Sequence, residues 1–198
     1  HKNNIEYSVC LGNLIFIDSL HSEEYALEAL ARDKKFFGEE NIQFASSLRS
    51  IGVYYYFFHP NNYKKAEKYL LMSLAIQKNI HGEYSIEYAN SLDFLGALYA
   101  NREDYNQALK FLLQSLVIKN EVLGEGQIEN VLGGLIEIGI LYYDNFGDTA
   151  KAEEFWSKAI TAVKKGKGED HIDYARCLDA LGDTYYNRGY LIKAEDYY

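Results

Sequence analysis

Four Gly-Glu pairs at nearly constant intervals constrain this 198-residue chain more than any other feature. Gly38, Gly82, Gly124 and Gly168 lie 44, 42 and 44 residues apart. Each is followed by Glu and, four residues on, by Ile, in GEENI, GEYSI, GEGQI and GEDHI. A second set recurs between them. Gly52, Gly96, Gly139 and Gly182 each follow Ile or Leu and precede a tyrosine by three residues (Tyr55, Tyr99, Tyr142, Tyr185). Ala66, Ala108, Ala152 and Ala194 form a third set, spaced by 42, 44 and 42 residues. Self-similarity at such a period means a stack of like units, none of which buries its apolar face alone.

The periodicity inside each unit is helical. In IEYANSLDFLGALYA the residues Tyr88, Leu92, Leu95 and Tyr99 fall at spacings of four, three and four, which is one helix face. Each unit therefore reads as two antiparallel helices, the first ending near NRED, NFGD or NRGY and the second at the Gly-Glu pair. A glycine costs a helix interior roughly 1 kcal/mol relative to alanine, so its return at one slot implies that a neighbouring helix comes close there. The marks divide a single array over 1–198 into a degenerate first repeat (5–41), with Ile15 and Asp18 in the glycine and tyrosine slots, repeats at 42–85, 86–127 and 128–171, and a shortened last repeat (172–198). The expected class is all-α.

The repeat LDFLGALYANREDYNQALKFLLQS, through Leu92, Leu95, Gly96, Tyr99, Ala108, Leu112 and Ser115, resembles a tetratricopeptide repeat (TPR). The resemblance covers nearly the whole chain. The unit is longer than the 34-residue form and lacks its terminal proline, and in this it is similar to the 42-residue repeats of kinesin light chains and of bacterial multidomain proteins. The resemblance implies a right-handed superhelical solenoid whose first helices line a concave groove. It implies a non-catalytic scaffold that binds an extended peptide or protein segment.

Composition narrows the partners. The formal charge is −9, from 29 acids against 20 bases, and the densest basic run, VKKGKGED, is followed at once by acids; a phosphate backbone would be repelled. No uninterrupted apolar run approaches a membrane span, and no basic segment leads into an apolar stretch at the start. Cys10 and Cys177 occupy one slot in the first and fifth units, too far apart to pair. A reducing, cytoplasmic setting is expected. The chain starts at His1 and stops at KAEDYY within a helical pattern, so it reads as a piece of a longer protein. The alternative function that follows is the regulatory arm of a larger bacterial enzyme, such as a caspase-like peptidase or a kinase. Self-association through the array ends is a further expectation.

Chemistry finds little footing. GKGED at 166–170 and GEG at 124–126 lack the lysine-serine pair and the strand-to-helix setting of a phosphate loop, so no cofactor is expected. His171 stands between Asp170 and Asp173 at a helix start, where Asp170 reads as an N-cap or first-turn acid; His21 and His81 have no partners at metal-ligand spacing. No catalytic or metal set is expected. The positions the repeat leaves undetermined are those that the family's geometry turns toward the groove. In the second unit they are Arg49 and Tyr56, beside Ser46, Ser50, Val53 and Phe57. The third unit offers Asn90, Asp93, Phe94 and Asn101, with Ala97. Glu137 and Tyr143 follow in the fourth, with Gly133, Ile136, Ile140 and Asp144. The fifth presents Arg176, Asp179, Asp183, Tyr186 and Asn187, with Ala180. Acids outnumber bases over these slots by three, which favours a basic or amine-bearing partner.

Overall fold

In a computed structural model of the chain, the structure describes residues 21–59, 62–124, 128–187, 189 and 191–197. The expectations placed on Cys10, Ile15 and Asp18 lie outside them. Helices follow one another as α1 (Ser22–Phe37), α2 (Ile42–Phe58), α3 (Tyr63–His81), α4 (Ile86–Asn101), α5 (Tyr105–Leu123), α6 (Ile128–Ile140), α7 (Thr149–Gly166), α8 (Ile172–Asn187) and α9 (Leu191–Glu195). A short π-helical run, Leu141–Asn145, continues α6. The chain forms two compact units, His1–Phe111 and Leu112–Tyr198, with the boundary inside α5.

The helix ends are those that the punctuation predicts. Gly38, Gly82, Gly124 and Gly168 take φ of 82°, 77°, 72° and 88°, in the left-handed region that only glycine enters without strain. The Gly38 and Gly82 amides donate to the Lys34 and Lys78 carbonyls at 3.1 and 2.9 Å. Beyond each turn a short polar side chain opens the next helix: Asn41 Oδ1 accepts the Gln43 amide at 2.8 Å, and Ser85 Oγ accepts the Tyr88 amide at 3.3 Å. At this slot before α8 stands His171, whose Nδ1 accepts the Asp173 amide at 3.2 Å. Here the sequence reading is corrected: the His171 ring nitrogen, not the Asp170 carboxylate, meets the first-turn amide.

In the first unit α1 packs on α2, α2 on α3 and α3 on α4. Its core gathers Ala26, Ile51, Val53, Tyr54, Tyr55, Ala66, Leu70, Leu95 and Leu98. The glycine slot lies at the seam. A Cβ placed on Gly52 would stand 2.8 Å from Leu70 Cγ and 3.2 Å from the Ala66 carbonyl oxygen, so only a bare backbone lets α3 approach. In the second unit α7 packs on α6 and α8, and α9 on α8. Trp156 fills the slot that Leu70 occupies in α3, is 2% exposed, and donates its indole N–H to the Ile136 carbonyl at 3.2 Å. A Cβ on Gly139 would lie 2.2 Å from that indole nitrogen.

Two further networks follow the repeat. Tyr55 and Tyr99 donate their hydroxyls to Glu23 and Glu67, each 32 residues upstream, and Tyr185 is bonded to Glu153 at the same offset. Each of these tyrosines, and Tyr142, stacks on an aromatic three residues past the alanine slot, in the pairs Tyr55–Tyr69, Tyr99–Phe111, Tyr142–Phe155 and Tyr185–Tyr197. Lys110 stands 32 residues before Tyr142, and Tyr142 instead carries Lys151 over its ring at 4.8 Å. The second network joins residues 14 apart on consecutive helices. Ser47 donates to Asp33 at 2.6 Å, and Ser91 to Gln77 at 2.9 Å; Gln77 in turn reaches Ser73, which donates to the Ala45 carbonyl. In the second unit the same slots hold Lys119 and Gly133, and then the apolar pair Val163 and Cys177, both fully buried in one cluster.

Candidate functional site

The residues expected to face a partner sit on α2, α4, α6 and α8, and the two units are described separately. In the first unit Val53 departs from expectation. It is 5% exposed and belongs to the core, because α2 is apolar around much of its circumference. Ser46, Arg49, Ser50 and Tyr56 are half-buried, and Phe57 is 58% exposed with its ring edge-on to Tyr56 at 4.8 Å. Burial lowers the pKa of the Arg49 guanidinium, while Glu87 acts in the opposite sense. On α4, Asn90, Asp93 and Ala97 are half-buried, and Phe94 packs against the core together with Tyr56. The structure brings α2 and α4 together directly where Asn101 donates its amide to the Tyr56 hydroxyl at 3.0 Å. This face holds one base, Arg49, and one acid, Asp93.

The second unit's face is more open and more acidic. Arg176, Asp179, Asp183, Tyr186 and Asn187 are all exposed on α8, at spacings of three, four, three and one, which is a single helix stripe. Arg176 leans toward Asp173 at 3.8 Å. On α6 and its π-helical end, Glu137 is half-buried, Ile140 and Asp144 are exposed, and Ile136 is drawn into the packing. Tyr143 lies against the Trp156 ring at 5.9 Å, so one side of it is core. Nothing stands within 4 Å of a Cβ placed on Gly133 or Gly134. The acids Glu137, Asp144, Asp179 and Asp183 outnumber Arg176 by three, so the surplus read over all the slots belongs to this unit.

Two of the groups weighed for chemistry, Asp173 and Cys177, are engaged by their surroundings. Asp173 takes an ion pair from Lys167 at 2.9 Å and holds its carboxyl below the ordinary range mainly through that bond. Burial raises the Cys177 thiol to about 11, leaving it without thiolate character at neutral pH. Three skeleton tyrosines, Tyr55, Tyr99 and Tyr185, are pushed up, mainly by burial; burial first, then the bond to Glu67, takes Tyr99 to about 12. Sequence reasoning treated these tyrosines as packing alone and missed Glu23, Glu67 and Glu153. Their signal was present as the constant 32-residue offset. Among the described residues, no helix is long and apolar enough to cross a membrane.

Successive helix pairs closed by a glycine-and-aromatic seam define a helical-repeat protein of the TPR type. Residues 58–121 match the tetratricopeptide repeat family model, and the helix-pair fold of the chain is that of TPR-like repeats. The chain superimposes on kinesin-light-chain-type TPR-like repeats from Podosopora anserina with a TM-score of 0.77 at 17% identity, covering 99% of this chain and 90% of that one. It is similar to BtubC (BKLC) from P. vanneervenii, with a TM-score of 0.78 at 17% identity over 99% and 85% of the two chains. Aspartyl phosphate phosphatase F from Bacillus subtilis shares the fold with a TM-score of 0.77 at 13% identity, over 98% of this chain and 47% of that one. Comparison with curated proteins found no match.

Proposed function

We propose that this chain, whose TPR-like fold generally serves as a protein-interaction scaffold, is a non-catalytic module that holds an extended, basic segment of a partner protein along the first-helix face of its second unit. The observation that carries this reading is the α8 stripe, where Asp179, Asp183, Tyr186 and Asn187 stand exposed together and packing does not dictate their identity. Asn187 can bond the backbone of an extended peptide, Tyr186 can cover an apolar side chain, and the acids select lysine or arginine between them. The first unit's face, with Arg49 balancing Asp93, contributes little to that charge selection.

The test uses Asp179→Lys/Asp183→Lys in the whole chain, with binding to a lysine- and arginine-rich peptide library followed by fluorescence anisotropy. Affinity falls at least tenfold for the best binders while helical circular dichroism is unchanged, and Asp93→Lys alone has a much smaller effect. Undiminished binding by the double variant refutes the site. A second reading, the regulatory arm of a larger enzyme, is supported by the Bacillus phosphatase, of which this chain spans 47%.

A further inference from the structure

The outer face of the first unit carries a pattern that neither the repeat skeleton nor the first-helix face explains. On α1 an exposed stripe runs Glu24, Leu27, Glu28, Ala31; on α3 the stripe is Lys64, Lys68, Leu71, Met72, Ala75. Leu27 and Leu71 hold one slot 44 residues apart and are 43% and 42% exposed, and Met72 beside them is 40% exposed. A single exposed leucine needs no explanation, but these lie on neighbouring helices. α1 and α3 run in the same direction, because α2 reverses the chain between them, and Lys65 of α3 lies 3.8 Å from Glu23 of α1. The fold does not require apolar residues here. In the second unit, α7 carries Glu154, Ser157, Lys158 and Thr161 at the slots of Lys68, Leu71, Met72 and Ala75, with Lys158 donating to Glu154 within the helix.

The flanking charges say what covers the patch. Over the first half of each helix the outward charges are acids on α1 (Glu24, Glu28) and bases on α3 (Lys64, Lys68), so that end of the face is complementary to itself, while Lys34 and Lys35 follow in the last turn of α1. We propose that the α1–α3 outer face is a homodimer contact, in which a second copy of this chain packs about a two-fold axis parallel to the helices. That axis lays α1 of one copy over α3 of its partner at the same height. Leu27 then meets Leu71, and Glu24 lies level with Lys68 and one helical turn, about 6 Å, from Lys64. The other face-to-face two-fold, perpendicular to the helices, would set acid on acid and base on base. The contact is isologous, so each pairing occurs twice. Its small apolar centre places it among transient interfaces, those burying less than about 1,200 Å².

The experiment is sedimentation velocity on the whole chain from about 1 to 300 µM, a range suited to weak association. The mass rises from monomer to dimer with concentration; a constant monomer overturns the proposal. Glu24→Lys/Glu28→Lys puts bases on both helices at the complementary end of the face, and Lys64→Glu/Lys68→Glu puts acids on both stripes there. Each variant alone associates at least tenfold more weakly than the natural chain, while an equimolar mixture recovers a heterodimer. Self-association of either variant at natural strength, or a mixture that stays monomeric, refutes the pairing. Leu71→Ser/Met72→Lys, which copies α7 at exposed slots, leaves helicity unchanged and weakens the dimer to the same degree. A dimer indifferent to all of these changes lies elsewhere and overturns the assignment.

Discussion

Replacing Gly139 by alanine tests the seam of the second unit most sharply, because intrinsic helix preference and packing point in opposite directions. Within a helix the substitution gains roughly 1 kcal/mol from restricting the unfolded chain. Against that, the new Cβ would stand 2.2 Å from the Trp156 indole nitrogen and 2.6 Å from two ring carbons, and a flat ring 2% exposed cannot swing aside. Overpacking of this kind costs about 1–3 kcal/mol. Moving the indole also breaks its 3.2 Å bond to the Ile136 carbonyl, and a buried donor left without its acceptor costs about 1–3 kcal/mol more. The net expectation is a loss of about 1–5 kcal/mol, large beside a typical domain stability of about 5–15 kcal/mol. Gly133→Ala and Gly134→Ala are the controls. They lie on the same helix with nothing within 4 Å of the added atom, so the propensity gain stands alone and each stabilises by about 0.5–1 kcal/mol. Urea titrations followed through Trp156 fluorescence measure all three, since this is the chain's one tryptophan and reports on the second unit. A neutral or stabilising Gly139→Ala would refute the argument that close helix approach keeps glycine at this slot.

Two other outcomes follow from the first unit. Ser47→Ala removes a donor from the buried Asp33 carboxylate and should cost about 1–3 kcal/mol in denaturant unfolding. A cost below about 0.3 kcal/mol would mean the pair is incidental. Tyr99 is held neutral in the fold with its pKa raised to about 12, above the unperturbed value of about 10. Its stabilisation is therefore complete below about pH 10 and is lost as pH rises through about 12. Stability measured against pH should fall less steeply over that interval in Tyr99→Phe than in the natural chain, with phenolate absorbance at 295 nm reporting the delayed ionisation.

Glycine and alanine slots were legible in the sequence because a helix seam repeats with the chain, and a 42- to 44-residue interval leaves few other readings. The helix ends were legible for the same reason, since a left-handed residue at Gly38, Gly82, Gly124 and Gly168 has no competitor but glycine. What periodicity cannot supply is how far around a helix the burial extends. Val53, Phe94 and Tyr143 carry the right spacing for an outward wall, yet α2, α4 and the π-helical end of α6 each pack over a wide arc and the large side chains sink into it. Local turn chemistry was similarly underdetermined at α8, where composition favours Asp170 as the cap and only the backbone path brings the His171 imidazole to the amide. The π-helical run at Leu141–Asn145 was not foreseen. Thirteen residues separate Gly139 from Ala152 against twelve from Gly96 to Ala108, and the extra residue is taken up inside the helix rather than in the loop.

The buried pairs 14 residues apart have a consequence for how such an array can be rearranged. Asp33 with Ser47 and Gln77 with Ser91 are matched polar partners, whereas Val163 meets Cys177. Exchanging α7 for α3 in a shuffled gene would set Val163 against Ser91 and strand a buried hydroxyl; the reverse exchange would set the Gln77 amide against a thiol. Repeats that look interchangeable by their glycines are thus addressed to particular neighbours. Insertions and deletions in this lineage should therefore respect the bond between one repeat's second helix and the next repeat's first, moving the two together as one heritable cassette.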